Sequence, residues 1–241
     1  MKKQFQIIYE DDDIVVVDKS PFLLTIPDRY APEKLNLYTW LNDHYGKIYI
    51  VHRLDRETSG ILVFAKNEEV HKHLSQQFED RTVRKVYYVL VEGNVHQECG
   101  IIDKPLGPHP QHPDKMTVVK KGKPSVTEYR VAEHFKNYTL LEAEIKTGRT
   151  HQIRVHFQAI GYPLATDALY GRKAAFYLSD VKQQKYQIGK NKEERPLMHR
   201  TSLHAWKLTF QHPASGETVG FQAPLPKDFG AVVQQLRKWG K

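Results

Sequence analysis

Hydrophobic and polar positions along the chain switch repeatedly between the two-residue period of strands and the longer period of helices. Residues 5–19 read as two short strands around the acidic turn Asp11-Asp12-Asp13. Pro21, Pro27 and Pro32 then interrupt the pattern, after which Leu35, Tyr38, Leu41 and Tyr45 recur at helical spacing. The apolar run at 61–65 predicts a buried strand, and Val70, Leu74, Gln77 and Phe78 predict a helix. Residues 85–92 are rich in β-branched and aromatic side chains, so a strand is expected there. The proline-rich stretch 103–125 reads as an irregular excursion, whereas 129–131 and 138–145 are strand-like. Thr150 is the expected N-cap of a helix with core face Ile153, Phe157 and Ile160; Gly161 ends it and Pro163 blocks its resumption. Residues 205–210 and 218–222 predict a hairpin, followed by a last helix near 229–239. Strands interspersed with few helices indicate an α+β class with a large, mainly antiparallel sheet, and no fixed-period repeat is present.

Composition narrows the function. At 241 residues the chain has ample material for a core, and 40% hydrophobic content fits a folded protein. The single cysteine, Cys99, excludes an internal disulfide and a multi-cysteine zinc site. It suits a reducing cytoplasm without establishing it, and the lack of a signal peptide and of a membrane span leads one to expect a soluble, unexported protein. No run approaches the roughly 20 apolar residues that a membrane-spanning helix needs, and Asp11-Asp12-Asp13 arrives before any adequate signal-peptide core. The formal net charge is +8, from 36 basic and 28 acidic residues, consistent with a polyanionic partner. Two stretches concentrate it. Residues 115–125 carry Lys115, Lys120, Lys121 and Lys123 with no acid, and residues 172–195 carry seven basic residues against three acids. A run of this kind is a solvated face or a binding face, and sequence alone does not separate the two.

The stretch His52-Arg53-Leu54-Asp55-Arg56-Glu57-Thr58-Ser59-Gly60 carries the most chemistry. It sets one carboxylate between two arginines, just before the buried strand. A carboxylate so placed stays ionised at neutral pH and serves as nucleophile, base or ion-pair partner. His52-Arg53-Leu54-Asp55 with Thr58-Ser59-Gly60 resembles the signature of the RluA-type pseudouridine synthases, in which the aspartate is the nucleophile. The stretch from Ile7 to Lys19 resembles that family's opening motif, Lys85-Val86-Tyr87 its Lys-x-Tyr strand, and the stretch from Thr147 to His156 its third motif. Leu203-His204-Ala205, His212-Pro213 and Ala223-Pro224-Leu225-Pro226 fit as well, and all these blocks follow the family's order.

The resemblance implies a mixed sheet split by a basic active-site cleft, and one catalytic domain over residues 1–241 without an N-terminal S4 domain. It implies isomerisation of specific uridines in structured RNA, with ribosomal RNA the first expectation and transfer RNA the second; the chemistry needs no cofactor and no metal, and a monomer is the default for an enzyme with an RNA cleft. Asp55 is then the nucleophile, Arg154 its ion-pair partner and Tyr87 the active-site tyrosine that stacks on the target base. Arg149 competes with Arg154 for the ion-pair role. Tyr88 points the other way, because side chains alternate along a strand. Arg53, His52, Leu203, Arg149 and His151 complete the expected substrate-binding set. Arg53 either fills the space left by the extruded uridine or forms a scaffold ion pair; Leu203 packs under the base or only in the core. His52 reads as a hydrogen-bonded scaffold group rather than a general base. His151 and His156, at i, i+5, do not share a helical face and so do not suggest a metal pair.

Two segments depart from the family pattern. Relatives commonly continue the opening motif as Lys-Pro-x-Gly, where this chain has Lys19-Ser20-Pro21-Phe22. They usually read Pro-hydrophobic-Gly-Asp after the third motif, where this chain has Pro163-Leu164-Ala165-Thr166-Asp167. A catalytically silent RNA-binding or ribosome-assembly module is the alternative function. A kinase fails on the order of His-Arg-Leu-Asp and the lack of a Gly-rich nucleotide loop.

Overall fold

A computed structural model of the chain describes residues 4–182 and 193–240. In chain order the strands are β1 (Phe5–Glu10), β2 (Ile14–Lys19), β3 (Tyr49–Ile50), β4 (Ser59–Ala65), β5 (Arg84–Glu92), β6 (Cys99–Asp103), β7 (Leu106–Pro108), β8 (Met116–Val118), β9 (Val126–Phe135), β10 (Tyr138–Ile145), β11 (Leu203–Gln211) and β12 (Thr218–Gln222). The helices are α1 (Leu37–Tyr45), α2 (Glu68–Glu79), α3 (Gln152–Ala159) and α4 (Lys227–Trp239). The fold is α+β with a mixed, mainly antiparallel sheet, as the sequence leads one to expect. The chain divides into two units, one running to Val86 with His204–Pro224 added, the other Tyr87–Leu203 with Leu225 onward.

In the first unit β1 and β2 form an antiparallel hairpin, closed by Asp11, whose Oδ1 accepts the amides of Asp13 and Ile14 at 2.9 and 2.8 Å. Ile14–Val17 and all of β4 are buried, which is why these strands read as unbroken apolar runs. β2 pairs antiparallel with β4 and β4 parallel with β11, while β12 extends β11 and β3 flanks β4. The two helices start on asparagine N-caps: Asn36 accepts from Thr39 and Asn67 from Val70. In α1 the buried stripe is Leu37 and Leu41; Leu35, expected on that face, precedes the helix and is 62% exposed.

In the second unit the strand order is β5-β10-β9-β6. Against it α4 lays Phe229, Val232, Val233 and Leu236, spaced as one helical face, into a cluster with Leu90, Phe135, Tyr138 and Leu140. Burying each such side chain contributes about 1.5–3 kcal/mol, so Phe229→Ala alone would undo much of the seam. The expected irregular stretch 103–125 instead carries a small antiparallel ribbon, β7–β8, with Leu106 opposite Val118. Its prolines stand at the strand end and in the loop, where no ladder donor is needed. Among the described residues no helix is long and apolar enough to cross a membrane.

Candidate active site

Asp55 lies in the loop between β3 and β4. That loop is fastened on both sides of the carboxylate. The Thr25 hydroxyl donates to the Leu54 carbonyl at 3.0 Å and accepts the Leu54 amide at 3.3 Å. The Arg56 carbonyl accepts from the Phe22 amide at 2.7 Å and from Lys19 Nζ at 3.3 Å. Lys19 is fully buried, and its ammonium is solvated by the carbonyls of Ser20, Leu23 and Arg56 instead of water. Leu54 is buried below the loop, Asp55 is half-buried, and Arg53 and Arg56 reach solvent. A carboxylate thus stands on a rigid backbone between two exposed cations.

Behind it, His52 accepts the Val63 amide on Nε2 at 3.1 Å and stacks on Phe78, ring centroids 4.7 Å apart. Burial, helped by the Lys85 charge, pulls its pKa down to about 3. It is therefore a neutral imidazole carrying its proton on Nδ1, with the other nitrogen already engaged. Gly60 has φ +116°, and a Cβ there would sit 2.1 Å from the Ala205 carbonyl oxygen. Glycine is what lets β4 approach β11 at this register. Beside it the Ser59 hydroxyl meets His204 Nδ1 at 3.0 Å, while His204 Nε2 meets the Ala223 carbonyl at 3.2 Å. A carbonyl only accepts, so His204 carries its proton on Nε2 and Ser59 donates.

The third motif lies in the second unit. The helix starts at Gln152, with left-handed His151 (φ +55°) at the N-cap and no side-chain cap, not with Thr150 as expected. Gln152 does the fastening instead. Its Oε1 accepts from the Thr147 hydroxyl and the Arg149 amide, and its Nε2 donates to the Val126 carbonyl and the Thr127 hydroxyl. Arg154, one turn in, grips Asp167 with both arms: Nε to Oδ2 at 2.6 Å and a terminal nitrogen to Oδ1 at 2.8 Å. The side chains are 6% and 0% exposed, so this is a buried, charge-assisted fork. Asp167 Oδ1 also accepts the amides of Leu169 and Tyr170. Tyr170 in turn lies 5.0 Å from the Arg154 guanidinium, and its hydroxyl meets His151 Nδ1 at 2.8 Å. Arg149 is half-buried, and its Nε donates to the Pro124 carbonyl at 3.4 Å. With Lys121, Lys123 and the ribbon it borders an open cavity of about 470 Å³.

Tyr87 is buried on β5. Tyr88 and Leu90 pack into the cluster beneath α4, so alternation sends Tyr87 to the opposite face of the strand. Leu203 is buried at the start of β11, where the fully buried Arg200 donates to its carbonyl and holds Asp228 on α4 at 2.6 and 3.0 Å. Burial would raise the Asp228 carboxyl, but the Arg200 hydrogen bonds and charge outweigh it and hold that group below the usual range.

Sequence reasoning placed His52, Arg53 and Asp55 on one loop, and Arg149, His151 and Arg154 around one helix start. It missed Lys19, Thr25, Gln152 and Arg200 as fasteners. Asp167 entered the sequence reading only inside a departing motif, although a lone acid after an apolar run, near an arginine-bearing helix, was the available signal. His156 donates from Nε2 to the Lys104 carbonyl and accepts the Thr127 hydroxyl on Nδ1. Burial keeps it below the ordinary histidine value despite the Lys104 bond. Among the described residues Asp11, Asp13 and His212 place ligand atoms within 4.8 Å of one another. Asp11 is already taken by two amides, the Tyr9 hydroxyl and His212, which makes it a turn lock. Of the basic stretch 172–195, Lys185, Lys190 and Lys192 lie outside the described residues.

The model of the family described as RNA pseudouridylate synthase matches residues 13–159. Ribosomal large subunit pseudouridine synthase D of Nitrosomonas europaea is 38% identical over 237 residues, covering 96% of this chain and 65% of the relative. The Pseudomonas aeruginosa protein of the same name is 39% identical over 241 residues, covering 98% and 72%. The chain therefore spans just under two thirds of the first relative's length and somewhat more of the second. Human RNA pseudouridylate synthase domain containing 1 superposes with a TM-score of 0.69 at 25% identity, covering 97% of this chain and 94% of that one. Human RNA pseudouridylate synthase domain containing 4 shares the fold, with a TM-score of 0.73. This chain belongs to the RNA pseudouridylate synthase family.

Proposed function

We propose that the protein isomerises uridine to pseudouridine in ribosomal RNA, with Asp55 as nucleophile. The observation that carries this reading is the Asp55 loop itself, a half-buried carboxylate whose neighbours on both sides are pinned by Thr25, Lys19 and Phe22. A nucleophile positioned in this way loses little freedom on attack. The carboxylate adds covalently, either at the anomeric carbon of the ribose or to the uracil ring. The N-glycosidic bond breaks, the base turns, a carbon–carbon bond to the same ribose replaces it, and the bond to the carboxylate is cleaved, which frees Asp55. The proton leaving the base carbon is balanced by one gained at the freed nitrogen, so no electrons are transferred and no redox carrier is needed. Tyr87 is assigned to the target base and the carbon-bound proton, and Arg154 to orienting the nucleophile as its ion-pair partner. The uridine must first leave its stack, at a cost of a few kcal/mol, and Arg53 fills the space it vacates.

The ribosomal substrate rests on what the Nitrosomonas and Pseudomonas relatives are named for. The protein is taken to act as a monomer, in the cytoplasm, and without a metal. The test is release of tritium from 5-tritiated uridine in ribosomal and transfer RNA transcripts by the purified protein. Stoichiometric release from ribosomal RNA, abolished by Asp55→Asn, is expected. Binding without release would leave the silent RNA-binding module as the better reading.

A further inference from the structure

We propose that Phe22 is a specificity-determining residue that stacks on an RNA base next to the extruded uridine; this rests on the function proposed above. Phe22 has φ +68°, a left-handed conformation that a bulky L-residue rarely adopts. Among the described residues the other non-glycine examples are Arg81, just past the C-terminus of α2, where such a turn is ordinary, and His151, at the N-cap of α3. Phe22 flanks no helix. Glycine is the residue that would take this conformation without strain.

The hydrogen bonds of the turn do not require the ring. They run from the Phe22 amide to the Arg56 carbonyl at 2.7 Å, from Arg56 Nε to the Phe22 carbonyl at 3.5 Å, and from Lys19 Nζ to the carbonyls of Ser20 and Leu23. Glycine would make them equally well, yet this chain places an apolar ring 36% exposed, bonded through its backbone to the residue after the nucleophile. Strain held beside a reactive group is a mark of function. Arg53 and Arg56 are exposed on the same loop and supply cations for phosphates. An aromatic ring beside an exposed arginine is what single-stranded nucleic acid binds by stacking and charge. Extruding a uridine unstacks its neighbours, so a flanking base is available to the ring.

Phe22→Gly and Phe22→Trp, assayed for pseudouridine formation on a ribosomal RNA transcript, test the assignment. Stacking one base on an aromatic ring corresponds to roughly 5- to 150-fold in affinity. F22G is expected to raise KM at least about fivefold with kcat retained at saturating RNA, and F22W to stay within about twofold of the parent. An unchanged KM for F22G, a loss confined to kcat, or F22W failing together with F22G would overturn the proposal. Binding of the same transcript by Asp55→Ala protein with and without F22G needs no turnover. Equal binding overturns the role of Phe22, whereas a parent protein without activity counts against the proposed function instead.

Discussion

Removing the carboxylate of Asp167 should cost the Arg154 guanidinium its forked, buried partner. The pair is buried on both sides, 6% and 0% exposed, and joined by bonds of 2.6 and 2.8 Å. Deleting one partner of a buried ion pair costs about 3–5 kcal/mol. The amides of Leu169 and Tyr170 also lose their acceptor, which keeps Asp167→Ala toward the upper end of that range. For a chain of this length each kcal/mol lowers the melting temperature by about 2–4 °C, so D167A should melt roughly 6–20 °C below the parent. Urea unfolding of D167A, R154A and the double variant completes a cycle. The double variant removes both charges of the fork, so its loss should resemble that of the worse single variant. The coupling should then be at least about 2 kcal/mol. A D167A loss below about 1 kcal/mol, or losses that add within about 0.5 kcal/mol, would refute the claim that Asp167 is what holds Arg154 in place.

Gly60→Ala puts a methyl group 2.1 Å from the Ala205 carbonyl at a φ of +116°. It should destabilise by at least about 3 kcal/mol in denaturant unfolding and lower kcat, since β4 carries the nucleophile loop; unchanged stability would contradict the close strand approach. His52 has a folded pKa of about 3 against an ordinary value of 6.5, so below pH 6.5 the unfolded chain binds a proton that the folded chain refuses. Stability should fall as pH drops from 6.5 toward 3, at up to about 1.4 kcal/mol per pH unit, and His52→Gln should flatten that slope; parallel curves for parent and variant would refute the buried neutral imidazole. Asp228 acts in a lower window. Its folded pKa is depressed, so its stabilisation is present above the unfolded carboxylate value and is lost as pH falls through the folded one. Asp228→Asn should therefore lose stability at neutral pH and shrink the acid-induced loss; an unchanged acid limb would count against the Arg200 pair.

Most of the fold was legible because its core strands and helices carry strong local signals. The unbroken apolar runs of β2 and β4, and the Phe229, Val232, Val233 and Leu236 face of α4, can each be read from a short window. β6 was not, because only Ile102 of its five residues is buried. β9 was read short, since its buried positions include Thr127 and lie between charged neighbours. The ribbon hid among prolines, and α1 was placed with its stripe shifted because Leu35 looked like a core residue. At the site, the nucleophile loop and the Arg149–Arg154 segment were legible as motifs. Their fasteners were not. Thr25 reaches Leu54, and His204 reaches Ser59, across stretches that no local pattern spans. The left-handed backbone of Phe22 is invisible until the chain is folded.

Pseudouridine mapping of ribosomal RNA from a strain lacking this protein, complemented with the parent chain or with Asp55→Ala, tests the central claim most directly. The account predicts at least one ribosomal uridine that is modified with the parent chain and unmodified with D55A. Modification restored equally by D55A, or no ribosomal site that depends on the protein, would contradict it.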